Sequence, residues 1–595
     1  MKFFKNIKYI FNSVYCCFRY VPIQAVIYLI ILIFLGLVPV LQIPATAGFI
    51  NNAINYYENG TGKVLIWIMF LAAISVVEHL VWSTAGLVHK RSMLLLRKRF
   101  RTGVLEKCAR LEYKYIEDSD SWDVISRMTT SPESEIWDGF DSLLGVVSIV
   151  ISVVGIMSFI AAQSLLSAGI ILLCCIPLFW LSIKSGKVNY KTSIQAEKLN
   201  RRSSVLSGMM NDREYADERT LFQYTEKTNS EFKKAYREAF VYISKTLFKW
   251  TAITKSGGIL SALSGVLVLC IMLPAVISGS LSMGLYISII TAVFSMSTQL
   301  SWWLGSSIDN AIKGMEFMKD MDRLMHFDEM SDALSPPIYS HGVGKIEFCN
   351  VSFTYPGTEA QILKDVSFVL VKGKHYAFVG ANGAGKTTII KLLTGLYSNY
   401  TGEILVDGKE LRTLDAASLK GLYSVVYQDY VHHSFTVREN CAMGNVALLE
   451  NNTENTDIEK ALESTHMTDA VNALPNGIST LLGKQFEGGA DLSGGQWQRL
   501  TLARAIISPA PVRVLDEPTA ALDPVSESHM YELFSEISKD TLTILISHRL
   551  GSTKIADEIL VFDEGAVTER GSSDELLNKK GLYFEMFEQQ RSWYQ

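Results

Sequence analysis

Gly380-Ala-Asn-Gly-Ala-Gly-Lys386-Thr387 decides how the rest of the chain is read. The octapeptide fits G-x-x-x-x-G-K-[ST]. Tyr376-Ala-Phe-Val379 before it reads as a buried strand. Thr388-Ile-Ile-Lys-Leu-Leu-Thr-Gly395 after it reads as a helix with a glycine stop. A strand, a glycine-rich turn and a helix start gather consecutive backbone N–H groups around one anion, and the helix dipole adds positive potential. The spacing therefore predicts a triphosphate cradle from Gly380, Ala381, Asn382, Gly383, Ala384 and Gly385 through Lys386, Thr387 and Thr388. Lys386 would reach the outer phosphates, and the Thr387 hydroxyl would sit on Mg²⁺. A glycine-rich turn matching by chance is the alternative, and the flanking strand and helix make it remote.

Cleaving a γ-phosphate needs metal ligands, a positioned water and cover for the transition-state charge. Val512-Arg-Val-Leu515 is strand-like and ends in Asp516-Glu517. Asp516 is placed to hold Mg²⁺, directly or through water, and Glu517 to orient or deprotonate the attacking water. Arg513 interrupts an otherwise apolar strand and would face either an edge or a carboxylate. Thr541–Ser547 reads as another strand, delivering His548 at its end, where an imidazole can contact the γ-phosphate.

The first half of the chain has a different character. Of 595 residues, 48% are hydrophobic and 19% charged, too apolar for an ordinary soluble protein and too charged for a purely membrane-embedded one. Six apolar stretches are long enough to cross a bilayer: Val21–Ile43 and about Val64–Val88, Leu143–Ala162, Leu165–Ile183, Gly257–Ile277 and Leu281–Leu304. Met1–Tyr20, with basic and apolar residues at helical spacing, reads as a helix lying along the inner face of the membrane. A secretory signal is the competing reading of this start, disfavoured by the length of the apolar run. The short loops near Asn55–Gly62, Gln163-Ser164 and Ser278-Gly279-Ser280 carry no Lys or Arg, whereas His89–Ser142 carries ten and Lys184–Ser256 fifteen. This bias puts both termini and both long segments in the cytosol. The long segments read as helical extensions with tips near Tyr115–Val124 and Asp212–Tyr224. Glu78 and His79 fall inside the second span and Asp309 just beyond the sixth, where charges pair between helices or face a cavity.

Ser331–Gly344, with Pro336-Pro337 and glycine, reads as a linker. The expected plan is a membrane all-α six-helix transmembrane domain over 1–330, the linker over 331–344 and an α/β P-loop nucleotide-binding domain over 345–595. A net charge of −5 points away from a nucleic-acid partner. The eight cysteines are scattered with no C-x-x-C pair, so neither zinc nor a disulfide framework is expected.

With these residues in view, the chain resembles an ATP-binding cassette (ABC) exporter half-transporter of the type IV fold across its whole length. Tyr355, in Val351-Ser-Phe-Thr-Tyr-Pro-Gly357, is similar to the family's adenine-stacking aromatic. Gln428, in Val425-Val-Tyr-Gln-Asp429, is similar to the glutamine that senses Mg²⁺ and contacts the transmembrane domain. Leu492-Ser-Gly-Gly-Gln496 resembles the family signature, which implies that Ser493, Gly494, Gly495 and Gln496 cap the ATP held by a second cassette. Ala520-Ala-Leu-Asp523 resembles the loop that links the two sites through Asp523.

The resemblance implies an ATPase using ATP and Mg²⁺, with Glu517, His548, Gln428 and Lys386 catalytic. It would be a dimer of half-transporters, homodimer favoured over heterodimer, in the plasma membrane with its ATPase domain in the cytosol. It would drive export by alternating access. Phe486-Glu487-Gly488-Gly489, Trp497 and Glu214 with Glu218-Arg219 resemble exporters of the nisin (lantibiotic) type. Peptide cargo is then expected ahead of lipid or drug-like molecules. No peptidase domain precedes the membrane segment, so leader cleavage is not expected. A non-pumping, ATP-gated channel or regulatory subunit is the rival reading, and retention of Glu517 and His548 argues against it.

Overall fold

The computed structural model describes residues 2–59, 63–340, 342–450, 455–518, 541–547 and 552–592. The chain divides into two compact units. One comprises Met1–Glu106 with Asp123–His326, the other Lys107–Trp122 with Phe327–Gln595.

The first unit is helical. Helix α1 (Lys2–Tyr20) is followed by α2 (Pro22–Asn59), which stays helical through Pro39 and Pro44, and α3 (Val64–Leu96). Helix α4 (Thr102–Arg110) leads out of this unit, and α5 (Lys114–Glu117) lies in the other. Helix α6 (Ser119–Thr130) leads back to α7 (Pro132–Gln163) and α8 (Leu165–Asn211). A short α9 (Ala216–Phe222), α10 (Thr225–Ile277), α11 (Met283–Thr298) and α12 (Leu304–Met325) complete it. A π-helical turn, Gln299–Trp303, joins the last two. The six stretches expected to span the membrane are helical apart from Val21, Leu281 and Ser282.

Among the described residues, Pro22–Glu58, Val64–Arg110 and Pro132–Gln163 are long and apolar enough to cross a bilayer, while Gly265–Ile277 and Met283–Thr298 are shorter apolar helices. Leu65, Ile66, Met69 and Phe70 of α3 are all exposed. Such a surface is costly in water and costs nothing in lipid.

Two features hold this bundle together. Ile149, Ile156, Ile160, Val268, Ile289, Val293 and Met296 form a buried apolar core. Gly314 of α12 meets Gly139 of α7 so closely that a Cβ added at Gly314 would lie 2.8 Å from the Gly139 Cα. Helix α1 is tied to α12 by Tyr9, whose hydroxyl donates to Asp322 at 3.1 Å. Within the spans, Glu78 accepts from Gln42 of α2 at 3.3 Å, a bond between neighbouring helices.

The turn at the first tip falls at Asp118, inside the expected Tyr115–Val124 stretch. Asp118 is extended, and its carboxylate accepts from the Ser121 amide at 2.8 Å, starting α6 at Ser119. The turn therefore closes by Asp118, and Ser119–Val124 is already helix. The second tip carries a 3₁₀ turn, Arg213–Tyr215, and α9, and ends at Gln223 in a left-handed conformation.

The second unit has two sheets. Strands β1 (Lys345–Thr354), β2 (Gln361–Val371), β4 (Thr401–Val406) and β5 (Lys409–Glu410) form an antiparallel sheet in the order β2-β1-β4-β5. Strands β3 (His375–Gly380), β6 (Tyr423–Val426), β7 (Val512–Asp516), β8 (Leu542–Ile546), β9 (Glu558–Asp563) and β10 (Ala566–Gly571) form the other, in the order β10-β9-β3-β8-β7-β6. Pairing in this second sheet is parallel except for β9 with β10. β3 and β8 are buried almost throughout, as parallel strands covered on both faces must be.

β7 is interior to this sheet, so Arg513 does not face an edge. It is half-buried, and its register neighbours are Ser424 on β6 and Thr543 on β8. The linker runs along the helix Ala416–Leu422: the Ile338 amide donates to Ala417 O at 2.9 Å, and a Cβ on Gly421 would lie 2.0 Å from Ile338 O.

Candidate functional site

Strand β3 delivers the glycine-rich turn at the carboxyl edge of the parallel sheet, and helix α13 (Lys386–Leu393) leaves it directly. Gly380 packs on the backbone of β9, and an added Cβ would lie 2.2 Å from Phe562 O. Gly385, at φ +97°, caps α13 in the left-handed region that a side chain disfavours. At Gly383, also at positive φ, an added Cβ meets nothing within 4 Å, which leaves the mouth of the turn open. Such a turn, with the α13 N-terminus beneath it, fits a polyphosphate.

Lys386 is 5% exposed. Its ammonium donates to Gly380 O at 2.7 Å and Ala381 O at 2.9 Å, so it is held against the turn by main-chain carbonyls. Burial pulls its pKa down, and the negative charges of Glu517 and Asp516 oppose that pull.

The adjacent strand ends supply the acidic pair. The Thr387 hydroxyl donates to Asp516 at 3.4 Å. Burial pushes the Asp516 carboxyl up to about 6, and the Glu517 charge pushes the same way. A buried carboxylate under that pressure, with a threonine hydroxyl beside it, fits a hard divalent cation, whose charge would relieve both causes. Thr387, Asp516 and Gln428 are the residues that could hold Mg²⁺.

Gln428 donates to the Glu517 carboxylate at 3.1 Å, so these two expected site residues meet directly. Glu517 has φ +49°, a left-handed conformation for a non-glycine residue, and its amide donates to Ile546 O on β8 at 3.0 Å. Strain of this kind costs about 1–3 kcal/mol and persists only where the surroundings over-determine it.

Tyr355 follows β1, and its hydroxyl is 3.0 Å from the Thr388 hydroxyl on α13. The aromatic expected against adenine and the helix that leaves the phosphate turn are thus joined. Ser493 caps the helix Gly494–Ile507 in a reciprocal box with Gln496: Ser493 N donates to Gln496 Oε1 at 2.8 Å, and Gln496 N to Ser493 Oγ at 3.3 Å. Gly494 has nothing within 4 Å of an added Cβ, so this helix start is open as well. Trp497 anchors it from below, stacked on His432 at 4.4 Å and donating to Asp491 at 3.1 Å. The helix packs on a hydrophobic core of its own, with Val437, Ile458, Leu482 and Leu500, separate from the core beneath the phosphate turn. His548, Asp523 and the Ala520–Asp523 stretch lie outside the described residues.

One cluster was not legible in the motifs. Lys391, five residues after Lys386, pairs with Glu117 at 2.7 Å. Its ammonium lies 5.2 Å from the Tyr355 ring centroid, 5.7 Å from Tyr113 and 6.0 Å from Tyr397. The available signal was weak: a lysine on the first turns of the helix and tyrosines spread over 285 positions of sequence, from Tyr113 to Tyr397.

The comparisons agree with this geometry. Residues 363–520 match the family described as ABC transporter. The subtilin transport ATP-binding protein SpaT of Bacillus subtilis is 27% identical over 558 residues, 93% of this chain and 89% of that protein. An ATP-dependent lipid A-core flippase of Pseudomonas fluorescens is 41% identical over 240 residues, 40% of this chain and 39% of its own length. A solved structure of a bacterial Atm1-family ABC exporter with ATP bound superposes with TM-score 0.75 at 24% identity, covering 96% of this chain and 98% of that one, a likeness of fold. These findings place an ABC transporter domain in the second half of the chain. Over nearly its whole length the chain has the build of an exporter-type half-transporter, a likeness of fold.

Proposed function

We propose that this chain exports a peptide from the cytosol across the plasma membrane as one half of a dimer, homodimer favoured, using ATP bound at two sites shared between cassettes. The observation that carries the reading is the meeting of Lys386, Thr387, Asp516, Glu517 and Gln428 at the mouth of one glycine-rich turn. The peptide cargo is supported by the reach of the subtilin-transport relative over both halves of the chain, where the flippase match extends over 240 residues.

In this reading Tyr355 stacks on adenine, and the amides from Gly380 to Thr388 with the Lys386 ammonium hold the phosphates. Thr387, Asp516 and Gln428 would hold Mg²⁺, which would supply neutralisation of phosphate charge. Glu517 orients the attacking water and takes its proton, aimed by the Gln428 amide. The family resemblance would give His548 the γ-phosphate contact and Asp523 the link between the two sites. Ser493, Gly494, Gly495 and Gln496 of one cassette close over the ATP of the other, so each ATP joins two helix starts. ATP binding draws cassettes together, hydrolysis releases them, and the membrane helices switch access.

The test is uptake of a labelled, leader-bearing lantibiotic precursor into inside-out vesicles. Accumulation against a gradient that requires ATP hydrolysis is expected. Equilibration without accumulation, driven by ATP binding alone, would instead identify a gated channel.

A further inference from the structure

A cavity of about 700 Å³ lies within the helical unit, between the parts of α6, α8, α10 and α12 that the sequence places outside the bilayer. Two acceptor atoms in its wall are unmatched. Asn189 Oδ1 and Asp309 Oδ1 both line it, and both are buried without a hydrogen-bond partner among the described residues. Two of the lining cations are already paired: Arg201 with Asp123 of the same wall at 2.8 Å, and Arg127 with Asp320 at 2.8 and 3.0 Å.

Lys313 is the remaining one, and its bond to Asp309 Oδ2 is a slack 3.4 Å. The same ammonium is within electrostatic reach of Glu135 and of Asp138, which His89 also serves, so Lys313 is shared among three carboxylates. Burial pushes the Asp309 carboxyl up, opposed only in part by Lys313. Ile243, Leu247 and Ala196 give the cavity an apolar side. Gly186 lets α8 close on α12 here, since a Cβ on it would lie 2.9 Å from Ile312 Cδ1.

We propose that this cavity is a binding site for an amphipathic cation, in which Asp309 and Asn189 accept from a protonated amine or guanidinium while the apolar side takes its carrier. The inference rests on the export reading in making such a cation, a basic side chain of a peptide, part of the cargo. A buried acceptor pair left unmatched is costly, and a donor-bearing ligand satisfies it without moving the wall. An anionic ligand would instead meet only cations already paired.

The probe is a fluorescent five-residue leucine peptide with one central lysine, and its twin with norleucine in that place. Binding to the purified full chain in nanodiscs, without nucleotide, is expected to favour the lysine peptide about tenfold. Asp309→Asn and Asn189→Leu should each bring the lysine peptide down toward its twin, and Asp309→Glu should keep the preference. Binding of a fluorescent ATP analogue in the same preparation separates loss of fold from loss of site. Equal binding of the two peptides to the wild-type chain, or a lysine preference that survives Asp309→Asn, overturns the proposal. Vesicle uptake keeps the two readings apart. Lysine-selective binding with no ATP-driven uptake counts against export alone. Uptake with no lysine selectivity counts against this site alone.

Discussion

Lys391 of the phosphate-turn helix and Glu117 of the Lys107–Trp122 stretch are joined by an ion pair at 2.7 Å. The same lysine lies 5.2 Å from the ring of Tyr355, the aromatic expected against adenine. The Lys107–Trp122 stretch is held in the cassette's unit from its other side as well. Lys107 pairs with Glu329 at 2.6 Å, and Tyr115 stacks on Phe327 at 4.3 Å. It is continuous in sequence with α4 and α6, so nucleotide seated on Tyr355 has a route of three contacts into the chain leading to the membrane helices.

Glu117→Gln should therefore separate stability from coupling. The pair is partly exposed, 22% at Lys391 and 40% at Glu117, so its loss should cost under about 1 kcal/mol. ATP hydrolysis should continue, while cargo moved per ATP falls by about two- to tenfold. Thermal melts, phosphate release and vesicle uptake on one preparation check this. An unchanged transport ratio would remove Glu117 from the route.

Glu517→Gln should abolish steady-state hydrolysis, by about 10²-fold or more, while ATP binding persists. The amide keeps the size and the Gln428 contact region but cannot take a proton from water. Lys386→Ala should instead weaken nucleotide binding itself, because it removes the one buried ammonium at the turn. Phosphate release and nucleotide-binding assays on both variants separate the two outcomes.

Asp516 carries a pH prediction. Its folded pKa, about 6, lies above the ordinary 3.8, so the folded state holds the proton more tightly than the unfolded chain. The destabilisation from its buried charge is fully present above pH 6 and fades as pH falls toward 4. Asp516→Asn should therefore stabilise the nucleotide-free protein at pH 7.5, by on the order of 2 kcal/mol, and by much less at pH 4.5. It should also remove Mg²⁺-dependent hydrolysis. Melting curves at the two pH values test the sign.

Trp497→Ala should cost about 3–5 kcal/mol, since the ring is 3% exposed and stacked on His432. Trp497→Phe keeps most of the packing and loses the bond to Asp491, about 1 kcal/mol. Denaturant titration of the two variants would show whether packing or the indole N–H dominates.

The parts of this architecture that were legible in the sequence are those with strong local signals. Gly380–Thr387 needs a strand before it and a helix after it, and both can be read within twenty residues. The spans announce themselves through length and lack of charge. The first tip could be placed only to within about ten residues, because the cap that fixes its turn is a single aspartate, Asp118, accepting from the Ser121 amide. Arg513 could be seen as out of place but not located, because strand order in a parallel sheet is set by long crossovers. The Asp309–Asn189 cavity and the Lys391 cluster join residues 120 and 274 positions apart, and no local pattern records such meetings.

Gly139 and Gly314 bring two backbones together with no side chain between them. Interlocked side chains act like gear teeth and resist sliding along the helix axes, whereas a bare crossing of this kind works as a smooth bearing. It permits small axial slip and rotation at low cost. It resists spreading, because parting the helices gives up close backbone contact that the small Ser13 side chain beside Gly139 cannot replace. Motion of α12 against α7 is therefore constrained to shear, and a methyl group added at Gly314 would jam the bearing before it unfolded the bundle.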